Sequence, residues 1–412
     1  MTNLNDSGPG SLRAAIETEG PRIVVFRTGG TIEVQSSLVI TSPFITIAGQ
    51  TAPGGGITLR NRPSNPDGPM MIKTHDVIVR YIRSRPGAST RKQSDLDAIQ
   101  ALGKDAHNVI IDHCSFSWAT DEVVNTWYDP HDITIQWSII SEGLNCSTHK
   151  EGCHSKGMLL GSDGSYNISV HHNLFAHNVE RNPTINTSGL VDVVNNVVYN
   201  PEWSGSHIRN EFSRALANFV GNYFKRGPDS TSEFSVAATD DRGNGLGIFV
   251  QGNIGPNRPS VYMDESLVVK PDARQWIVAT RYGAPFVTAT SAFEAYDQVL
   301  ANAGATIGLD SRGNSYWRRD PVDERIVNDV KSGTGGYIDD PSEVGGWPKL
   351  DAGSPPQDSD HDGMPDDWER LYCLNPADSA DGPQDADGDG YTNVEEYLNQ
   401  TEPGNICAGD KP

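Results

Sequence analysis

Four side chains with catalytic potential recur at one phase of a repeating pattern. Asp97 stands 12 residues before Val109 and Asp121 stands 12 after it; Lys156 stands 12 before Ile168 and Arg181 stands 13 after it. If Val109 and Ile168 mark equivalent strands in coils of roughly two dozen residues, all four lie half a turn from the reference strand, on one flank. Acids and bases stacked on one face make a cleft rather than random surface. A second chemistry is written in the tail. In Asp358-Ser-Asp360-His-Asp362-Gly363-Met-Pro-Asp366-Asp-Trp-Glu369, oxygen donors occupy positions 1, 3, 5, 9 and 12, with Gly at 6. The pattern returns 27 residues later in Asp385, Asp387, Asp389, Gly390, Asn393 and Glu396. A hard cation needs six to eight oxygens; a closing Glu supplies two and the Gly permits the turn, so both loops are expected to hold Ca2+.

The elements that must position the cleft show as an internal repeat. Apolar doublets followed by a polar residue five positions on begin at Ile45, Val77, Val109, Ile133, Ile168, Val191, Ala217 and Ile248, with spacings of 32, 32, 24, 35, 23, 26 and 31. Asn173, Asn196, Asn222 and Asn253 close the last four at one phase. A sandwich would show hairpin turns about every ten residues. Stacked coils would instead bring these asparagines to about 4.8 Å from one another, where their amides can bond to each other and to buried turn carbonyls. The reading is all-β: a right-handed parallel β-helix with short helical capping elements and a small EF-hand-like calcium tail. The coils run from about 20 to 255, capping segments from 256 to 350, and an acidic calcium-binding module from 351 to 412. Ser291-Ala-Phe-Glu294 is a capping box opening a helix through Leu300, and Asp320-Pro321 opens a second. Pro355-Pro356 marks a linker.

Charge supports the division. The chain of 412 residues carries a net charge of −22, of which residues 351–412, with 16 acids and 2 bases, hold −14. Such an acidic protein is a poor direct partner for nucleic acid or an anionic membrane, and no apolar run reaches the length of a membrane span. A soluble monomer is expected. The opening Met-Thr-Asn-Leu-Asn-Asp-Ser has no hydrophobic leader, so the chain is either cytosolic or has lost a signal peptide. Five cysteines fit two bridges and a leftover Cys114, which favours an oxidising, extracellular location. A zinc site of Cys146, His149, Cys153 and His154 is the alternative.

Several phrases together resemble the pectate lyases of polysaccharide lyase family 1. They are Ser94-Asp95-Leu-Asp97-Ala-Ile, Val109-Ile-Ile-Asp112-His113-Cys-Ser-Phe-Ser-Trp118, Asp121-Glu-Val-Val-Asn125, His154-Ser-Lys156-Gly-Met-Leu-Leu-Gly161 and the run from His171 to Pro183. The similarity extends from about residue 3 to 255. The tail resembles thrombospondin-type and dockerin-like calcium repeats of secreted proteins. The resemblance implies Ca2+-dependent β-elimination of polygalacturonate, an acidic plant cell-wall polysaccharide. It makes Asp97 and Asp121 calcium ligands, with Asp95 a possible extra, and puts Asn125 where the family usually has a third carboxylate. It also makes Lys156 the contact to the substrate carboxylate and Arg181 the base.

The implied chemistry suits these residue types. Elimination across C4–C5 of a uronate removes a weakly acidic proton beside a carboxylate, and a cation with Lys156 would stabilise the developing charge. An arginine base requires a site that lowers its pKa; otherwise Arg181 is a charge clamp. Thr184 and Asn186 stand where many members have further arginines, so methylated pectin, short oligomers or another uronate are alternative substrates. Asn186 and Trp127 are candidate substrate contacts, and Trp127 could equally pack between coils. Asp112, His113, His171 and His172 read as structural. Two rivals have other signatures. A β-helix hydrolase of the polygalacturonase sort needs clustered carboxylates, and Asp121 and Glu122, adjacent and thus opposed if extended, disfavour it. A non-catalytic carbohydrate-binding β-helix has no use for Lys156 and Arg181.

Overall fold

The computed structural model describes residues 1–90, 95–243, 245–404 and 406–407; Ser94 of the first quoted phrase lies outside them. The chain winds as a right-handed parallel β-helix whose coils contribute to three parallel sheets of nine, eight and eight strands. One coil shows the plan: His107–Asp112 joins the first sheet, Ser115–Ser117 the second and Glu122–Trp127 the third, before His131–Gln136 returns to the first.

The eight repeat starts are register partners. Ile45 pairs with Val77, Val77 with Val109, Val109 with Ile133, and so on through Ile168, Val191 and Ala217 to Ile248. Their side chains point into the bore and form one apolar core along its length. The asparagines stack as expected: Asn173 Nδ2 donates to Asn196 Oδ1 at 3.0 Å, Asn196 to Asn222 at 3.0 Å and Asn222 to Asn253 at 2.9 Å. Each amide also bonds a carbonyl of a neighbouring coil, as Asn222 Nδ2 does to Val193 O at 2.8 Å. The column continues downward through Ser138, whose hydroxyl accepts from Cys114 N at 3.0 Å. That explains why Cys114 is buried and free: it fills a place in the column.

The ends and flanks are covered. Leu12–Ile16 caps one end with Leu12 and Ile16 in the core, and short turns at Glu265–Val268 and Pro271–Trp276 close the other. The two expected helices span Ala292–Asn302, opened by the Ser291/Glu294 capping box, and Pro321–Ser332, opened by Asp320. Both lie along the outside of the second sheet, where Val299, Leu300, Ile326 and Val330 pack on Ile139, Leu174 and Val197. No helix among the described residues is long and apolar enough to cross a membrane.

The acidic tail is folded against the coils. Met364, Trp368, Tyr397 and Leu398 cluster with Ala48 and Leu309, and Arg27 pairs with Asp358 at 3.2 Å. Disulfides join Cys146 to Cys153 and Cys373 to Cys407. The first bridge consumes both thiols that a four-ligand zinc site would need, which removes that alternative.

Candidate active site

The third sheet positions the cleft. Glu122 and Lys156 are register partners, a bridge joins Lys156 to Glu180 on the next coil, and Val124 opposite Ile99 sets Asp97 level with Glu122. Beyond Glu180 the register shifts by one, because Leu159 pairs with Thr184. The extra residue is Arg181, with φ of 63°, so the strand bulges there and re-aims one side chain. Gly157 makes room: a Cβ on it would lie 2.6 Å from Arg181 O and 2.5 Å from Asn182 Oδ1. The Arg181 guanidinium consequently reaches back past Lys156 to the Glu122 carboxylate, and the Lys156 ammonium pairs with Glu180.

Oxygens of Asp97, Asp121 and Glu122 all lie within 4.8 Å of one another. The expectation that Asp121 and Glu122 oppose each other is therefore corrected. Thr120 N and Asp121 N both donate to Leu96 O, at 3.0 and 3.1 Å, so the chain bends before the strand starts at Glu122 and alternation does not yet apply. Asp97 is almost fully buried; one oxygen accepts from Asn125 Nδ2 at 3.0 Å and from Gln100, and the other has no partner. Asn125 Oδ1 is likewise unpartnered. Burial, with Asp121 beside it, raises the Asp97 carboxyl well above its usual range. Burial would also raise Asp121, but the hydrogen bond and charge of His154, with His149 and Arg181, outweigh it and hold that carboxylate low. Crowded carboxylates with orphaned buried oxygens fit a hard divalent cation.

The other expected residues are distributed around this centre. Asp95 turns outward to Lys150 at 2.6 Å and to His149 at 3.2 Å. Asp121 meets His154 at 2.9 Å, and the His149 and His154 rings stack with centroids 3.7 Å apart, in the segment closed by the Cys146–Cys153 bridge. Trp127 shares the outer face of its strand with Asn125. It lies over Gly161, where a Cβ would be 1.9 Å from the indole, and meets Phe212 edge-on at 5.9 Å. Asn186, register partner of Gly161, is held by Glu211 at 2.8 Å.

Spacing missed three groups. Strand alternation points Glu122 away from Asp121, and spacing gives Glu180 no role. Arg209 supplies from the next coil a second guanidinium, which the Thr184 and Asn186 replacements had seemed to remove. It lies 28 residues after Arg181, about one coil, so the phase argument could have found it. Burial lowers the Arg181 guanidinium below its usual value and the charge of Arg209 acts in the same sense, against Asp121, Asp97 and Glu211. The site can thus bind a cation and present Lys156 and Arg181 to anionic groups.

A family model described as pectate lyase matches residues 57–306. The chain is 35% identical to "Probable pectate lyase C" of Aspergillus flavus over 99% of its own length and 90% of the relative's. It is 37% identical to the protein of that name from Aspergillus terreus, over 98% and 89%. Among solved structures, a Bacillus pectate lyase in complex with trigalacturonate is 18% identical with a TM-score of 0.46, covering 71% of this chain and 88% of that one.

Proposed function

The chain belongs to the pectate lyase family, and from that premise we propose that it cleaves polygalacturonate by Ca2+-dependent β-elimination in the cleft around Arg181. One observation carries the reading: a single cleft holds three convergent carboxylates, an ammonium and a partly buried guanidinium.

Asp97, Asp121, Glu122 and Asn125 would hold the calcium, with Asp95 on its approach side. When bound, the ion neutralises those carboxylates and polarises the substrate's carboxylate, which acidifies the C5 proton. The chain's own residues do the rest. Lys156, released from Glu180, pairs with a substrate carboxylate. Arg181, with Asp97 and Asp121 neutralised, keeps burial and Arg209 lowering its pKa against Glu211. A guanidine nitrogen of Arg181 then takes the C5 proton, the freed electron pair forms the C4–C5 double bond, and the C4–O bond breaks, the departing oxygen taking a proton from solvent. Arg209 and Asn186 flank the next position along the polymer, and Trp127 offers an apolar face beyond them.

Secretion into an oxidising compartment is supported by the two disulfides. For the tail we propose calcium loops of the thrombospondin or dockerin sort, resting on the carboxylate groups Asp358, Asp360, Asp362 and Asp385, Asp387, Asp389. Incubation with polygalacturonate, with and without a chelator, tests the main reading. A chelator-sensitive rise in ultraviolet absorbance from the new C4–C5 double bond supports it. Reducing ends without absorbance would mean hydrolysis, the chemistry that the convergence of Asp97 and Glu122 would otherwise suit.

A further inference from the structure

We propose that Asp381, which lies outside both twelve-residue loops, is a fifth carboxylate ligand of calcium in the first loop, and that filling this site locks the tail onto the β-helix. The proposal rests on the calcium reading of the tail and goes beyond its spacing. Oxygens of Asp358, Asp360 and Asp362 lie within 4.8 Å of one another, and so do those of Asp362, Glu369 and Asp381. Glu369 is fully buried, yet neither of its oxygens has a partner. Asp360 Oδ2, Asp362 Oδ2 and Asp381 Oδ1 are buried and unpartnered as well. Arg27 offsets only Asp358; among the described residues the other four acids converge without a counter-charge and repel one another, and a divalent cation removes the repulsion.

The ninth position of the loop behaves differently from its spacing. Asp366 accepts from Ser359 N and Oγ, both at 2.8 Å, and from Arg370 at 3.1 Å, so it braces the loop. Asp381 takes the vacated direction, and three features hold it there. Its Oδ2 accepts from Asn375 N at 2.9 Å. Its carbonyl accepts from Asn393 Nδ2 at 2.8 Å, so Asn393, read as a ligand in the second loop, positions the first site instead. Gly382 lets the segment approach, because a Cβ there would sit 2.6 Å from Asp362 Oδ2.

This site touches both sides of the junction. Asp358 pairs with Arg27 of the coils, while Met364 and Trp368, within and just after the loop's bend, pack on Ala48 and Leu309. In the second loop Asp385, Asp387 and Asp389 are exposed and Glu396 is buried with Oε2 unpartnered. Among the described residues no carboxylate outside that loop joins them as Asp381 joins the first. The first loop therefore fills first.

The test is calorimetric titration of the calcium-stripped full chain with calcium, paired with limited proteolysis of the 354–357 linker across the same concentrations. Wild type should show a tight class whose filling protects the linker. Asp381→Asn, an isosteric change, should weaken that class at least about tenfold and shift linker protection to the same higher calcium. Asp389→Asn should alter only a weaker class. Tight binding and protection unchanged in Asp381→Asn would overturn the proposal. If wild type shows no binding attributable to either loop, the calcium reading of the tail itself fails. Near-ultraviolet circular dichroism of Asp381→Asn at saturating calcium, expected to match wild type, separates lost affinity from misfolding.

Discussion

Arg181 donates to the carboxylate of Glu122 although the strand of Lys156 runs between them. The bulge at Arg181 makes this reach possible, and it brings the proposed base to the same carboxylate that faces the cation site.

On the proposed reading Glu122 has two tasks, holding Arg181 and contributing to the calcium set. Glu122→Gln keeps the shape and removes the charge. Turnover should fall about 100-fold, and the calcium concentration for half-maximal activity should rise, with circular dichroism unchanged. Activity within a few-fold of wild type at the same calcium requirement would remove Glu122 from the site.

The asparagine column is expected to carry much of the coil stacking. Asn222 accepts from Asn196 N and Nδ2, at 2.9 and 3.0 Å, and donates to Val193 O and Asn253 Oδ1. Asn222→Ala leaves several of these buried groups unpaired, so denaturant unfolding should show a loss of about 2–4 kcal/mol. A change under about 0.5 kcal/mol, the size of an ordinary surface substitution, would mean the column is ornamental to stability.

Histidine burial gives stability an acid limb. Burial pushes His171 and His172 down to about 4, and His172 stacks on Trp137 with centroids 4.4 Å apart. Both are neutral in the folded chain where the unfolded chain, titrating at about 6.5, has taken up protons. Their contribution is fully present above pH about 6.5 and is lost as pH falls towards 4. His172→Asn, which suits the residue's left-handed backbone at φ of 56°, should flatten the decline of melting temperature between those values. An unchanged slope would show that His172 takes no part in it.

Much of this architecture was legible because a coil repeats its physics. Val109, Ile168 and the other starts are equivalent core positions, so their spacing predicted the register, and equal phase predicted the asparagine column. The same phase puts Asp97, Asp121, Lys156 and Arg181 at or just before the starts of strands in the third sheet. What spacing could not convey was direction. A bend before Glu122 turns it towards Asp121, a bulge turns Arg181 backwards, and side-chain bonds within the tail turn Asp366 away from the loop and Asp381 into it. The first two depend on backbone conformation at one or two residues and the last on local side-chain bonds, and no periodic pattern encodes either.

The central claim is that Arg181 removes the proton. The most direct test follows the ultraviolet absorbance of unsaturated product from polygalacturonate at saturating calcium, for wild type and Arg181→Ala, with polymer binding measured in parallel. The account predicts a fall of at least about 1,000-fold in rate with polymer binding largely kept. A near-normal rate of unsaturated product from Arg181→Ala would contradict it.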